Sequence, residues 1–312
     1  MRCLITGGYG YVGAHVAARA AAAGHEVVVL SRGPARHAPF THKHVAADLA
    51  ALSPSVLSAL LPEDIDACIH LAGRNHSDEP DHPRKSLKAN ALGTRNLLEA
   101  LLLRPNRPHI VYSSTFHVYG RAGGEIDETT PPAPRNDYAL THLFAEEYGR
   151  MFARTEGILF SVLRLTNGYG APLLPESDKW HLLCNDLCRQ AVLEGSITLK
   201  AHPEAQRDFV PLRDVAGAFT ALLNRPDLAG RTYNIASGRA TTLGDVARIA
   251  QHTAETLLGR EVPLIFNNTG EAPAGDPLRV SNAAARRDLD FTCSPDMEAE
   301  MRKILAAVET EA

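Results

Sequence analysis

The chain has 312 residues, 45% of them hydrophobic, with a net charge of −4 and five cysteines. That length carries a sizeable core in one large domain or two, while the small net charge and the lack of any membrane-length apolar run argue against nucleic-acid and membrane partners. Cys3, Cys68, Cys184, Cys188 and Cys293 are odd in number and fit no disulfide framework, so they read as free thiols in a reducing cytoplasm.

Arg2-Cys3-Leu4-Ile5 is a short apolar run that reads as a buried strand, and no signal peptide is expected. Thr6-Gly7-Gly8-Tyr9-Gly10-Tyr11-Val12-Gly13 follows, then an Ala-rich helix from Ala14 to Ala23. Strand, glycine turn and helix together form a phosphate-binding context. Gly7 allows the tight turn, Gly10 lets backbone approach a pyrophosphate, and Gly13 lets the helix pack closely on the sheet. The free N–H groups at the helix start then hold the phosphates. An ordinary glycine-rich turn is the competing reading. The second strand, Glu26-Val27-Val28-Val29-Leu30, arrives where a dinucleotide fold needs it, after the stop signal Ala23-Gly24-His25.

Strand and helix patterns then alternate. Lys43 to Asp48 reads as a strand, Ser53 to Leu61 as a helix with Pro54 near its start, and Ala67 to Ala72 as a strand. Pro83 to Leu103 reads as one long helix, His109 to Ser114 as a strand, Tyr138 to Glu156 as a helix and Leu159 to Leu165 as a strand. Such repetition predicts an α/β fold, a doubly wound parallel sheet covered on both faces. The second half is less regular. Helices are expected at Lys179–Glu194, Arg213–Asn224, Leu243–Leu258 and Pro295–Val308, with proline-rich breaks at 172–175, 203 and 273–277. Cys184 and Cys188 are spaced one helical turn apart, but no second ligand pair is near, and the 14 histidines are scattered; no metal site is expected.

Further segments appear in order. They are His70-Leu71-Ala72-Gly73, the run Asn90 to Glu99, Tyr112-Ser113-Ser114-Thr115 with Val118-Tyr119-Gly120, and Asp127-Glu128-Thr129 with Pro131 and Pro134. Arg164 to Gly170, Arg207-Asp208-Phe209-Val210 with Asp214-Val215-Ala216, and Tyr233 to Gly238 follow. Over nearly its whole length the chain resembles the extended short-chain dehydrogenase/reductase family, and within it the nucleotide-sugar epimerases, dehydratases and reductases. The resemblance implies a Rossmann domain at 1–165, with 208–237 returning to it, and a smaller C-terminal substrate domain built from 166–207 and 238–312. It also implies a homodimer paired through the two long helices, Pro83–Leu103 and Tyr138–Glu156.

The resemblance assigns roles. Tyr138 is the acid/base and Thr115 its hydroxyl partner, beside the substrate. Gly7, Gly10, Tyr11, Val12, Gly13, Asp48, Leu49, Leu71, Ala72, Gly73 and Ser113 line the cofactor. Asn167 and Arg207 face the nucleotide diphosphate, although Arg207 could instead pair with Asp208. Asn90 is structural, Tyr233 and Asn234 support the small domain, and Arg74 and His76 either line the sugar cleft or sit in a solvated loop. The family carries Lys four residues after the Tyr, where one helix face delivers both groups to one site. Here that position is His142. Imidazole can donate to the nicotinamide ribose and, when protonated, can polarise Tyr138, but it titrates near 6.5 and gives no permanent charge. Ser31-Arg32 ends the second strand where NAD-specific members carry an acid. Arg32 suits a ribose phosphate, so NADP is favoured over NAD unless Arg32 points to water. The expectation is an NADPH-dependent ketoreductase of a nucleotide sugar acting through a 4-keto species. The alternatives are an NAD-dependent epimerase that recycles its cofactor and a non-catalytic NAD(P) sensor.

Overall fold

The computed structural model describes residues 1–311 except 36, 76–78, 80, 178, 269, 273 and 295. In chain order the first half contains β1 (Arg2–Thr6), α1 (Tyr11–Ala22), β2 (Glu26–Ser31), β3 (Lys43–Ala46), α2 (Pro54–Leu60), β4 (Ala67–His70) and α3 (His82–Ser86). A π-helical turn over Leu87–Leu92 leads into α4 (Gly93–Leu102), followed by β5 (His109–Thr115), a 3-10 turn over Phe116–Tyr119, β6 (Gly124–Ile126), α5 (Asp137–Glu156) and β7 (Phe160–Leu165). The second half contains β8 (Asn167–Tyr169), α6 (Leu183–Leu193), β9 (Ile197–Leu199), β10 (Gln206–Pro211), α7 (Leu212–Leu223), β11 (Thr232–Ile235) and β12 (Ala240–Thr242). It ends with α8 (Leu243–Leu258), β13 (Leu264–Phe266), β14 (Leu278–Val280), α9 (Ala283–Leu289) and α10 (Met297–Glu311).

Seven strands form one sheet in the order β11-β7-β5-β4-β1-β2-β3. Every neighbouring pair is parallel. The inner strands are apolar runs because they are buried on both faces, whereas the edge strand β3 is half exposed. Val16, Ala17, Ala20, Val215, Phe219 and Leu222 from α1 and α7 cover one face, and Leu57, Leu97, Leu101, Ala145 and Phe152 from α2, α4 and α5 cover the other. This is the doubly wound Rossmann arrangement that the alternating pattern predicts. The order runs outward from β1 to β3 and then returns to β4 on the other side of β1. That reversal opens a crevice at the carboxyl ends of β1 and β4, where such sheets bind ligands. The glycine turn leaves β1, and Leu71-Ala72-Gly73 leaves β4, so both sit at the crevice. A separate core joins α6, α8 and α10 through Leu187, Val246, Ala250, Met301 and Ile304.

Several elements depart from the sequence reading. The helix expected over Pro83–Leu103 is interrupted by the π turn, which contains Asn90 and the exposed Leu87 and Leu92. Leu97, Leu98 and Leu101 do face the sheet. Helix α1 starts inside the glycine fingerprint, three residues before the expected Ala14. Helix α6 starts at Leu183 rather than Lys179, because Lys179 to Leu182 form a turn. Tyr233 and Asn234 lie on β11, which pairs with β7 in the large sheet rather than supporting the smaller unit.

Candidate active site

The glycine turn is built by contacts that only hydrogen at Cα allows. Gly7 takes φ +69°, and a Cβ there would sit 2.8 Å from the Ala72 nitrogen. A Cβ on Gly13 would lie 2.0 Å from the Gly7 carbonyl oxygen, so this glycine serves close packing of α1 on the turn itself, not on the sheet. Gly10 caps α1 in extended conformation, and its Cβ position meets only the Gly7 oxygen, at 3.2 Å. The turn is thus a backbone cradle at a helix N-terminus, which suits a pyrophosphate. Val12 lies in the first turn of α1, and the Tyr11 hydroxyl reaches across to donate to the Gly170 carbonyl at 2.6 Å and to Asn185 Oδ1 at 3.1 Å. At the end of β2 the Ser31 hydroxyl donates to the Gly33 carbonyl, 2.6 Å away, and meets His44 Nε2 at 3.0 Å. Arg32 is exposed, and its guanidinium has no hydrogen bond or ion pair among the described residues. Asp48 is exposed and accepts from the Ala50 amide at 2.9 Å, beside buried Leu49. Thr6 Oγ1 accepts from the Ala72 amide at 3.1 Å and so pins the segment that leaves β4.

On the other side of the crevice, α5 presents Tyr138, His142 and Glu146 four residues apart, on one face. Asn136 starts this helix by accepting the Ala139 amide at 2.8 Å. Tyr138 is partly buried, and its ring stands edge-on to His142 at 4.7 Å and to exposed His117 at 6.0 Å. Burial raises the Tyr138 phenol above its ordinary value, while a hydrogen bond with the Thr115 side chain pulls the other way. Thr115 also caps the 3-10 turn by accepting the His117 amide at 3.2 Å. Ser113 is partly exposed one residue beyond Tyr112.

His142 Nδ1 lies 2.6 Å from the Tyr112 hydroxyl. Burial is the largest influence on the imidazole and brings it down to about 4, against an opposing pull from Glu146. Burial thus favours the neutral imidazole at the lysine position. One turn further on, Glu146 is fully buried. It accepts from Arg164 Nε at 3.0 Å and Nη2 at 2.7 Å, from Arg150 at 2.7 Å and from the Ser114 hydroxyl at 2.5 Å. Burial alone would raise this carboxyl, but Arg164, Arg150 and Ser114 together hold it below its ordinary value. Arg164 also lies over the Tyr119 ring at 4.7 Å, and the Tyr119 hydroxyl donates to Asn234 at 2.7 Å.

The sequence profile of the NAD dependent epimerase/dehydratase family matches residues 3–236. The chain belongs to this family. GDP-6-deoxy-D-mannose reductase of Pseudomonas aeruginosa is 32% identical to it over 291 residues, which span 92% of this chain and 86% of that protein. dTDP-6-deoxy-L-talose 4-dehydrogenase (NAD(P)(+)) of Kitasatospora kifunensis is 30% identical, spanning 99% of this chain and 96% of that one. The structure of RMD from Pseudomonas aeruginosa complexed with NADPH matches with a TM-score of 0.80 at 28% identity, covering 99% of this chain and 100% of that chain.

As a member of the epimerase/dehydratase family, the chain is an NAD(P)-dependent enzyme. Asn167 lies on β8 opposite Phe209, and its side-chain amide donates to the Asp208 carbonyl at 2.8 Å. Arg207 does not pair with Asp208; its guanidinium donates to the Gln206 carbonyl at 2.8 Å. The Asp208 carboxylate points the other way and accepts from Thr166, Ser237 and Gly238 at 2.7–2.9 Å, tying the turn after β11. Asn90 bridges, as a structural residue should, accepting the Arg74 amide at 2.6 Å and donating to Thr141 at 2.9 Å. Arg74 itself pairs with Glu79 at 2.7 Å. His76 lies outside the described residues. Among the described residues no cluster of three or more His, Cys, Asp or Glu side chains could hold a metal ion, and no helix is long and apolar enough to cross a membrane. Sequence reading overlooked Tyr112 and Glu146. Glu146 carried a signal, since it repeats the four-residue spacing of Tyr138 and His142; Tyr112 carried none, because its partner lies 30 residues away.

Proposed function

We propose that the protein is an NADPH-dependent ketoreductase that adds hydride and a proton across the 4-keto group of a nucleotide sugar. The observation that carries this reading is Tyr138 beside a neutral His142. Among the described residues no Lys or Arg hydrogen-bonds to either side chain. An epimerase that starts from an alcohol needs a phenolate to accept the hydroxyl proton. A phenol raised by burial, with no cation beside it, is protonated at neutral pH and serves as an acid. The alkoxide formed in reduction is more basic than a phenolate, so proton transfer from Tyr138 runs downhill.

The nicotinamide supplies the hydride when bound. The Gly7–Gly13 turn and the start of α1 hold its pyrophosphate, and Leu71, Ala72 and Gly73 bound the crevice floor. Arg32 reads the ribose phosphate, and Asp48 and Leu49 border the adenine. Ser113 lies along the nicotinamide half, and His142 donates to its ribose. Tyr138 and Thr115 hold the sugar's reacting oxygen, and Asn167 and Arg207 take the diphosphate. Residues 1–165 and 208–237 form the cofactor unit, and 166–207 with 238–312 form the substrate unit. The two relatives that reduce or oxidise deoxy-sugar nucleotides support the substrate class, and the NADPH complex supports the cofactor. A cytoplasmic homodimer completes the reading.

Turnover of GDP-, UDP- and dTDP-4-keto-6-deoxy sugars with NADPH tests it. Wild type should consume NADPH at a rate that holds from pH 6 to 9, and Tyr138→Phe should lose about two to four decades in rate with NADPH binding kept. Equal rates for the two proteins would remove the acid role from Tyr138. Interconversion of alcohols without net NADPH consumption would point to an epimerase, and binding without turnover to a sensor.

A further inference from the structure

We propose that Tyr112 is a positioning residue that locks His142 in its Nε2–H tautomer and so presents one neutral donor to the cofactor crevice. The inference deepens the cofactor reading above and rests on it. The Tyr112 hydroxyl and His142 Nδ1 are 2.6 Å apart, and both side chains are buried. The hydrogen on that hydroxyl has no other acceptor among the described residues. If Nδ1 carried a proton and donated, the phenolic hydrogen would be left unpaired inside the protein, a costly arrangement. Nδ1 is therefore the acceptor, and the ring proton sits on Nε2.

The phenol cannot turn away from this bond. Tyr112 lies on β5 opposite His70, with its ring 5.4 Å from the His70 ring on one side and 6.1 Å from Phe160 on the other. Nε2 has no partner among the described residues. The neighbouring Cε1 lies 3.8 Å from where a Cβ on Gly73 would stand, so this edge of the ring faces the segment that leaves β4.

The groups around His142 agree with a neutral ring. Tyr112 faces it from β5, Tyr138 and Glu146 from its own helix, His117 from the 3-10 turn and His70 from β4. Glu146 is the one anion among them, and Arg164 and Arg150 already pair with it. A lysine would offer several donors and a fixed charge. This pair offers one uncharged donor, suited to a sugar hydroxyl, whose strength does not change with mild acidity.

Long-range ¹⁵N–¹H correlation spectra of the histidine rings test this, with the His142 signals assigned by their loss in His142→Gln. Wild type at pH 7 should show His142 as Nε2–H, unchanged between pH 5.5 and 8. Tyr112→Phe should mix the two tautomers and weaken NADPH by about 2–10-fold at pH 8, the loss of one ordered hydrogen bond. An Nδ1–H or doubly protonated ring in wild type at pH 7 overturns the proposal, even if Tyr112→Phe does not fold. So does a Tyr112→Phe spectrum that keeps the wild-type tautomer. An Nε2–H ring in a wild-type protein that binds neither NADPH nor NADH supports the lock and overturns the cofactor reading instead.

Discussion

At the scale of single residues, replacing a lysine by His142 changes what its neighbour can do. An ammonium one turn from Tyr138 would stabilise the phenolate; a neutral imidazole does not. His142→Lys should therefore lower the Tyr138 pKa and speed the reverse reaction, alcohol oxidation with NADP⁺, at neutral pH. The pH–rate profile of oxidation in the two proteins measures this, with the inflection moving to lower pH in the variant. Arg32 tests the other end of the cofactor. It is exposed with no partner among the described residues, free to meet a phosphate. Arg32→Ala should weaken NADPH by about one to two decades, equivalent to about 1.5–3 kcal/mol for a charge-assisted contact, and leave NADH nearly unchanged. Titration calorimetry with both cofactors decides it, and equal small losses would place Arg32 in solvent.

At the scale of elements, the Glu146 cluster ties α5 to β5 and β7. Its carboxylate is fully buried and Arg164 is 3% exposed, so removing one partner strands the other. Glu146→Gln should cost about 3–5 kcal/mol, read as a lower midpoint in urea. Because the folded pKa of Glu146 lies below its unfolded value, its contribution is present above the unfolded pKa, near 4.3, and is lost as pH falls through the folded one. Wild type should thus lose stability below about pH 4.5 more steeply than Glu146→Gln does. The same elements show why some of the site was readable in sequence. The seven sheet strands run four to seven residues and are mostly buried on both faces, so β1, β2, β4, β5 and β7 stood out as apolar runs. Strands β6, β8, β12, β13 and β14 have three residues each, too few for any period to show. The π turn left no mark because it adds a residue without changing composition. The Tyr112–His142 bond depends on how α5 lies across β5, which only packing determines.

At the scale of the whole molecule, α5 leaves Leu140, Phe144 and Met151 exposed by 36–41%, and the π turn leaves Leu87 and Leu92 exposed by 42–48%. Apolar side chains in water on two adjacent helices suit a second copy of the chain. Sedimentation should show a dimer for wild type and a monomer for Phe144→Glu, with the fold intact by circular dichroism; a monomeric wild type would remove the dimer from the reading. The place of β11 matters in a different way, during synthesis. Strand β7 ends at Leu165, but the neighbour that covers its outer edge is not translated until Thr232–Ile235. In between, a nascent chain carries a nearly complete sheet with a bare hydrophobic edge, a template for pairing with other nascent chains. Soluble yield should then follow chaperone supply and translation speed across those intervening codons more closely than it follows the melting temperature of the finished protein.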